Sequence, residues 1–466
     1  MINALKELKT QLKGELKLDE TTLILYSTDA SAYREKPLAV FIVEKDYYQD
    51  IKLLLDFCKA HNTFLIPRAA GTSLAGQVVG KGIVVDVSKN LNQILEINVQ
   101  EKWARVQAGV VLQQLNQYLK PYNLLFGPET STANRCCIGG MVGNNSCGLH
   151  SLVYGSARDH LLEAKVILAD GKQVLLKQYS KEEFLAKAQQ NDLEGKIYKY
   201  IEYTYSNEDL KKEIIENFPE KEVSRRNNGY ALDSLIENPN PNLAKLFAGS
   251  EGTLGFATEF KLNLVSLPPK HKAVICVHFS ELKDSFTGNL IALRHSPMAV
   301  ELMDNNIIEA AYRNPTQKQN TFFIENEPKA ILIIEFAEES EEKLQTKLQE
   351  TISDFKENSS AYAFPIIYNE KISRVWELRK AGLGLLTNVA GDYKPVSVIE
   401  DTAVAPKRLP SYLSEFEDVL STYNLKCVYH AHIATGELHL RPILNLKKEE
   451  DVERFYNLSK DVALLV

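Results

Sequence analysis

RAAGTSL (68–74), IGGMVGNNSCG (138–148) and GSEGTLGFAT (249–258) are turns built from small residues, and their shared chemistry decides how this chain is read. A nucleotide pyrophosphate needs donors that do not crowd it, and consecutive main-chain N–H groups in a Gly/Ala/Ser-rich turn supply them. The first turn follows strand-like TFLIP (63–67) directly; Arg68 adds charge, and Thr72 and Ser73 add hydroxyls. In isolation such a turn is as readily a packing feature as a binding one. The second holds four glycines within ten residues, 139–148, which implies backbone that approaches something closely. The third repeats the pattern, and three such turns in one half of the chain make mere connection a poor explanation. None is a GxGxxG opening a helix and none carries GK[ST], which disfavours NAD and ATP.

Outward from these turns the period alternates. LAVFIVE (38–44) is strand-like, DYYQDIKLLLDFCKAHN (46–62) is helical, and AKVILADGKQVLLK (164–177) reads as a hairpin about its DG turn. The opening residues MINALKELKTQLKGELKLDE (1–20) read as a surface helix. At LVSLPPK (264–270) two prolines interrupt the pattern, and KAVICVHF (272–279) starts a new apolar strand. The expected division is a first domain over 1–268 and an α+β second domain over 269–466, the latter without a Gly-rich loop.

A length of 466 residues favours at least two cores, and 44% hydrophobic with 25% charged residues is the composition of a globular protein. A net charge of −7 with interspersed signs offers no cationic face, so nucleic acid is excluded as a partner. No apolar run approaches the ~18 residues of a membrane span, and the first twenty residues lack the apolar run of a secretory signal. The expectation is a cytoplasmic protein, a location compatible with peripheral membrane contact. The cysteines are scattered without cluster spacing, so an iron–sulfur centre is not expected here.

Taken together and in order, RAAGTSLAGQ, PETST (128–132) with IGGMVGNNSCG and YG (154–155), and GSEGTLGFAT resemble the FAD-binding domain of the vanillyl-alcohol-oxidase/PCMH superfamily, closest to its D-lactate, glycolate and D-2-hydroxyglutarate dehydrogenase branch. The resemblance implies an α+β fold: a two-subdomain PCMH-type FAD-binding domain followed by an α+β FAD-linked-oxidase C-terminal (cap or substrate) domain. It assigns the FAD pyrophosphate to Arg68, Ala69, Ala70, Gly71, Thr72, Ser73 and Leu74. The ring and ribityl neighbours become Pro128, Glu129, Thr130, Gly139, Gly140, Asn144, Ser146 and Gly148, with Glu251, Gly255 and Ala257 closing the site. Because the first turn lacks the histidine that covalent relatives use, the FAD is expected to be non-covalent.

HAHIATGELHLRP (430–442) places three histidines within ten residues. By spacing alone, HxH on a strand reads more readily as a half-exposed face than as a ligand pair. The resemblance shifts that reading, because His432 and His439 match the family's metal segment; they become the expected ligands of a divalent metal such as zinc, and His430 a supporting residue. WELRK (376–380) and VIEDTAV (398–404) resemble cavity-lining segments, and Arg379 suits a carboxylate clamp. Two departures from the D-2-hydroxyglutarate enzymes stand out: Ile399 or Glu400 stands where they carry a lysine, and Arg441 where they carry an asparagine, so the chain's cationic candidates are Arg441 and Lys394.

The implied reaction is oxidation of a small D-2-hydroxy acid to its 2-oxo acid. The family's Gly-Glu-His-Gly segment does not appear before Val466, so the expectation is a chain incomplete at its C-terminus. Its electron acceptor would be an iron–sulfur domain downstream or a separate protein. The sequence leaves the assembly state open. Rival readings are a flavin-binding module without turnover and a metal hydrolase built on the histidines, the latter lacking a nucleophile elbow or HExxH.

Overall fold

The computed structural model describes residues 1–226 and 229–466, which form two compact units. The first comprises Met1–Gly148, Gly155–Pro219 and Asn227–Leu267; the second begins at Pro268 and also takes in Leu149–Tyr154 and Glu220–Arg226.

The first unit carries β1 (Glu15–Lys17), β2 (Ala39–Ile42), β3 (Leu65–Arg68) and β4 (Ile83–Asp86) in one sheet of order β1-β2-β4-β3. Strands β2, β4 and β3 run parallel, with the helix Tyr48–Ala60 between β2 and β3. AVFI and IVVD are buried throughout, as a parallel sheet covered on both faces requires. The chain start is not the single helix expected over 1–20. A short helix, Ile2–Lys9, gives way to β1, which pairs antiparallel with β2. Gly14 allows that approach: a Cβ there would lie 2.7 Å from the Ile42 carbonyl.

A second sheet of order β5-β6-β10-β8-β9 follows, with β5 Ile94–Asn98, β6 Trp103–Gln107, β8 Leu161–Ile167, β9 Gln173–Lys177 and β10 Phe256–Asn263; β7 (Leu124–Leu125) pairs with β11 (Val265–Ser266). The hairpin expected over 164–177 is β8 and β9, and Gly171 at its turn has φ +84°. Leucines, valines and phenylalanines from both sheets and their helices form one core.

The second unit is an antiparallel sheet of order β15-β12-β14-β13-β18-β19-β16, with β17 also on β19. Its strands are β12 (His271–Phe279), β13 (Ala299–Asp304), β14 (Ala330–Glu338), β15 (Ile366–Tyr368), β16 (Lys394–Pro395), β17 (Ile399–Ala403), β18 (Cys427–His432) and β19 (Glu437–Leu444). Both faces are covered. On one, Leu302, Leu332, Leu438 and Leu440 pack with Phe286, Leu348, Phe416 and Leu458 of four helices. On the other, Met303, Ile333 and Val428 meet the helices Asn305–Arg313 and Lys371–Thr387. Among the described residues no helix is long and apolar enough to cross a membrane.

Candidate functional site

In the first unit the three small-residue turns converge. A Cβ on Gly140 would sit 3.6 Å from the Ala69 Cβ, and one on Gly252 would sit 3.1 Å from Pro67. Glu251 N donates to the Gly143 carbonyl (3.0 Å), Gly249 N to Val142 (2.9 Å), and Gln77 Nε2 to the Glu251 carboxylate (3.3 Å). Gly71 (φ +65°) turns the first loop out of β3. Among the described residues, the amides of Gly71, Thr72, Ser73 and Leu74 donate to no protein acceptor, and all four residues are half-buried. Half-buried amides left unpaired by the protein require an acceptor from outside it. Successive amides of this kind suit a diphosphate.

The remaining cofactor-binding candidates divide into those that face this turn and those that shape it. Arg68 folds back under the loop, 5.0 Å above the Tyr26 ring and donating to its carbonyl (3.2 Å); Tyr26 in turn donates to Asp86 at 2.5 Å. The expected charge donor therefore braces the loop. Gly139 lies against Ala108, and Gly255 against Val166 of β8, where added Cβ atoms would fall at 2.9 and 2.5 Å. Gly148 is pressed on the Glu129 carbonyl, only 1.9 Å from where a Cβ would be. The Thr130 hydroxyl meets Thr132 and Cys136, while Asn144 and Ser146 close the helix Ile138–Gly143 through bonds to Gly140 and Met141. Pro128 precedes this group, and Ala257 lies in β10 opposite Val166.

The second unit gathers the histidines on one sheet face. Register pairs His430 with His439 and His432 with Glu437, so 430 and 432 on β18 share a face with 437, 439 and 441 on β19. Glu301 of β13 reaches the same face: its carboxylate is 2.7 Å from His432 Nδ1 and 2.5 Å from Arg379 Nη2. The helix Lys371–Thr387 covers this face, and two side chains one turn apart reach down to it, Trp376 to Glu335 (2.8 Å) and Arg379 to Glu301. Arg379 also donates to the Ala431 carbonyl, so it is a tethered ion-pair member and not an open clamp.

A register shift in β17 between Ile399 and Thr402 throws Glu400 and Asp401 toward β19, with Asp401 at φ +59°. Both carboxylates meet His439 Nδ1, at 3.0 and 2.9 Å, and the other oxygen of Glu400 pairs with Arg441 at 2.6 Å. Burial lowers the basicity of His439, but these carboxylates outweigh it and raise its pKa to about 9. For His432 burial prevails over Glu301 and takes the pKa down to about 4. The two rings are 5.1 Å apart, each held through Nδ1, which leaves both Nε2 atoms for a further partner. His430 lies 5.2 Å from His439 with neither nitrogen hydrogen-bonded. Lys394, in β16, instead turns to the Val389 carbonyl.

The histidines and Arg441 are thus brought together as a set. Glu400 and Asp401 lie in the VIEDTAV segment expected to line the cavity, but their pairing with His439, the role of Glu301 and the buried pair of Arg225 with Glu437 are not evident from the sequence. An acid inside an apolar strand, as Glu301 stands in AVELMD, is the signal that marks such a residue.

Comparison with known proteins agrees with both halves. Residues 37–177 match a model of the FAD binding domain and 268–466 one of the C-terminal domain of FAD linked oxidases. The D-2-hydroxyglutarate dehydrogenase of Pseudomonas putida is 32% identical over 463 residues, covering 97% of this chain and 45% of that protein. The glycolate oxidase subunit GlcD of Bacillus subtilis is 24% identical, covering 96% and 83%. This chain spans less than half the length of the D-2-hydroxyglutarate dehydrogenases that it matches. Solved structures of p-cresol methylhydroxylase (TM-score 0.67, 13% identity, 99% of this chain and 86% of that one) and of 4-ethylphenol oxidase from Gulosibacter chungangensis (0.66, 13%, 99% and 86%) share the fold.

Proposed function

We propose that this chain, whose residues 37–177 and 268–466 match the FAD binding domain and the C-terminal domain of FAD linked oxidases, oxidises a small D-2-hydroxy acid to the 2-oxo acid. Among such acids D-2-hydroxyglutarate is favoured over glycolate by the 32% identity to the Pseudomonas putida D-2-hydroxyglutarate dehydrogenase against 24% to the Bacillus subtilis glycolate oxidase subunit. The observation that carries the reading is the convergence of three turns around unpaired amides, which fits the diphosphate of FAD. When bound, FAD supplies an acceptor for the C2 hydride. The loop 71–74 holds the diphosphate through main-chain donors. No histidine stands in it to form a covalent link.

The second unit supplies charge and proton handling. His432 and His439 suit a divalent cation such as zinc, because each offers Nε2 while a carboxylate fixes its Nδ1 side. Such an ion would acidify the substrate hydroxyl and orient the 2-hydroxy acid. Arg441, buried and anchored by Glu400, carries positive charge for a carboxylate.

The test is anaerobic mixing of FAD-loaded protein with D-2-hydroxyglutarate, D-lactate and glycolate. Loss of the yellow flavin absorbance with at least one acid is expected. Protein that takes up FAD but keeps its colour with all three supports the module without turnover, and protein that never takes up FAD defeats the assignment. Elemental analysis before and after EDTA tests the cation separately.

A further inference from the structure

Arg225 stands 207 positions before His432 in the sequence but folds into the second unit beside the histidines. Its side chain is only 4% exposed and forms an ion pair with Glu437, equally buried. It also donates through Nε to the Thr435 hydroxyl (3.0 Å) and through Nη2 to the Ser151 hydroxyl (2.6 Å). Thr435 passes the restraint on, donating to the main-chain carbonyl of His432 at 3.0 Å. Glu437 is the register partner of His432. The short turn Ile433–Thr435, closed by Gly436, therefore has His432 at one end, β19 with His439 at the other, and the Arg225 fork across its base. Gly436 seats the turn against the Val404 carbonyl, where a Cβ would fall at 1.8 Å.

A buried ion pair is a weak stabiliser compared with apolar residues of the same volume, so the three directed bonds of Arg225 are better explained by geometry than by stability. Guanidinium is the group that can serve three acceptors in fixed directions, which an ammonium cannot do. We propose that Arg225 is a positioning residue: its fork on Glu437, Thr435 and Ser151 fixes the turn that sets His432 against His439.

The proposal rests on the oxidation reading for its kinetic test and stands apart from it for its structural one. In FAD-loaded protein, Arg225→Lys is expected to keep the melting temperature near wild type, since lysine still pairs with Glu437. The limiting rate of flavin reduction by D-2-hydroxyglutarate should nevertheless fall on the order of a hundredfold, the effect of misplacing a reacting group by about 1 Å. The half-saturating substrate concentration should change far less. Arg225→Gln combined with Glu437→Gln, which removes both charges, should fold and be equally slow. Nitrogen-15 imidazole spectra, with His432 assigned by His432→Gln, should show the His432 signals displaced in both variants. Reduction within twofold of wild type and unmoved His432 signals would overturn the role. If wild-type flavin is reduced by no hydroxy acid, the oxidation reading fails, and the imidazole spectra alone decide for or against Arg225.

Discussion

Gly148 shows how a single missing carbon shapes the first unit. Because a Cβ would stand 1.9 Å from the Glu129 carbonyl, Gly148→Ala must push one of the two segments that meet there aside. Its cost should be about 1–3 kcal/mol, as for other overpacked sites. FAD content per chain and the denaturation midpoint should fall together; unchanged FAD content would detach this contact from the cofactor site. Glu335 is the corresponding case in the second unit. Burial opposes its ionisation, but His150 and Lys272 overcome it and hold the carboxyl at about 2. A depressed carboxyl pKa stabilises the fold fully above the unfolded value near 4.5, and that stability is lost as pH falls toward 2. Between pH 5 and 3 the stability advantage of wild type over Glu335→Gln should therefore shrink by about 2 kcal/mol. Denaturant titrations across that range measure it.

The bulge in β17 joins backbone strain to chemistry. Asp401 adopts φ +59°, a conformation that favours glycine, and with Glu400 it turns both acids onto one histidine. Asp401→Gly relieves the backbone by up to about 1 kcal/mol but removes one of the two carboxylates paired with His439, so the melting temperature should stay near wild type or fall slightly while flavin reduction by D-2-hydroxyglutarate slows. A faster or unchanged reaction would remove Asp401 from the site. Elements of this kind also mark how far the sequence could be read. The three small-residue turns were legible because their chemistry is local: each declares its need for close main-chain approach within ten residues. The β-α-β start and the hairpin at Gly171 were legible for the same reason, through period and turn residues. Arg68 as a brace, Arg379 as the partner of Glu301 and the carboxylates behind His432 and His439 were not. They depend on register across β13, β18, β19 and β17, which no local period encodes. The opening residues misled because the lysines and leucines of 1–20 suit a helix, whereas beyond Lys9 the chain is held by Asp50, which accepts from the Lys13 and Gly14 amides, and by the pairing of β1 with β2.

Across the whole molecule, ligand binding should be visible as stability. FAD that binds the folded chain and not the unfolded one should raise stability by about 2.7 kcal/mol at a hundredfold excess over its Kd. A melting curve insensitive to added FAD would contradict the cofactor site. The division into two units carries a practical consequence of its own. Leu149–Tyr154 and Glu220–Arg226 are encoded among residues of the first unit yet fold with the second. A gene fragment cut at codon 268 would thus express a sheet deprived of Ser151 and Arg225, with the Glu437 carboxylate sealed inside and its counter-charge left on the other plasmid.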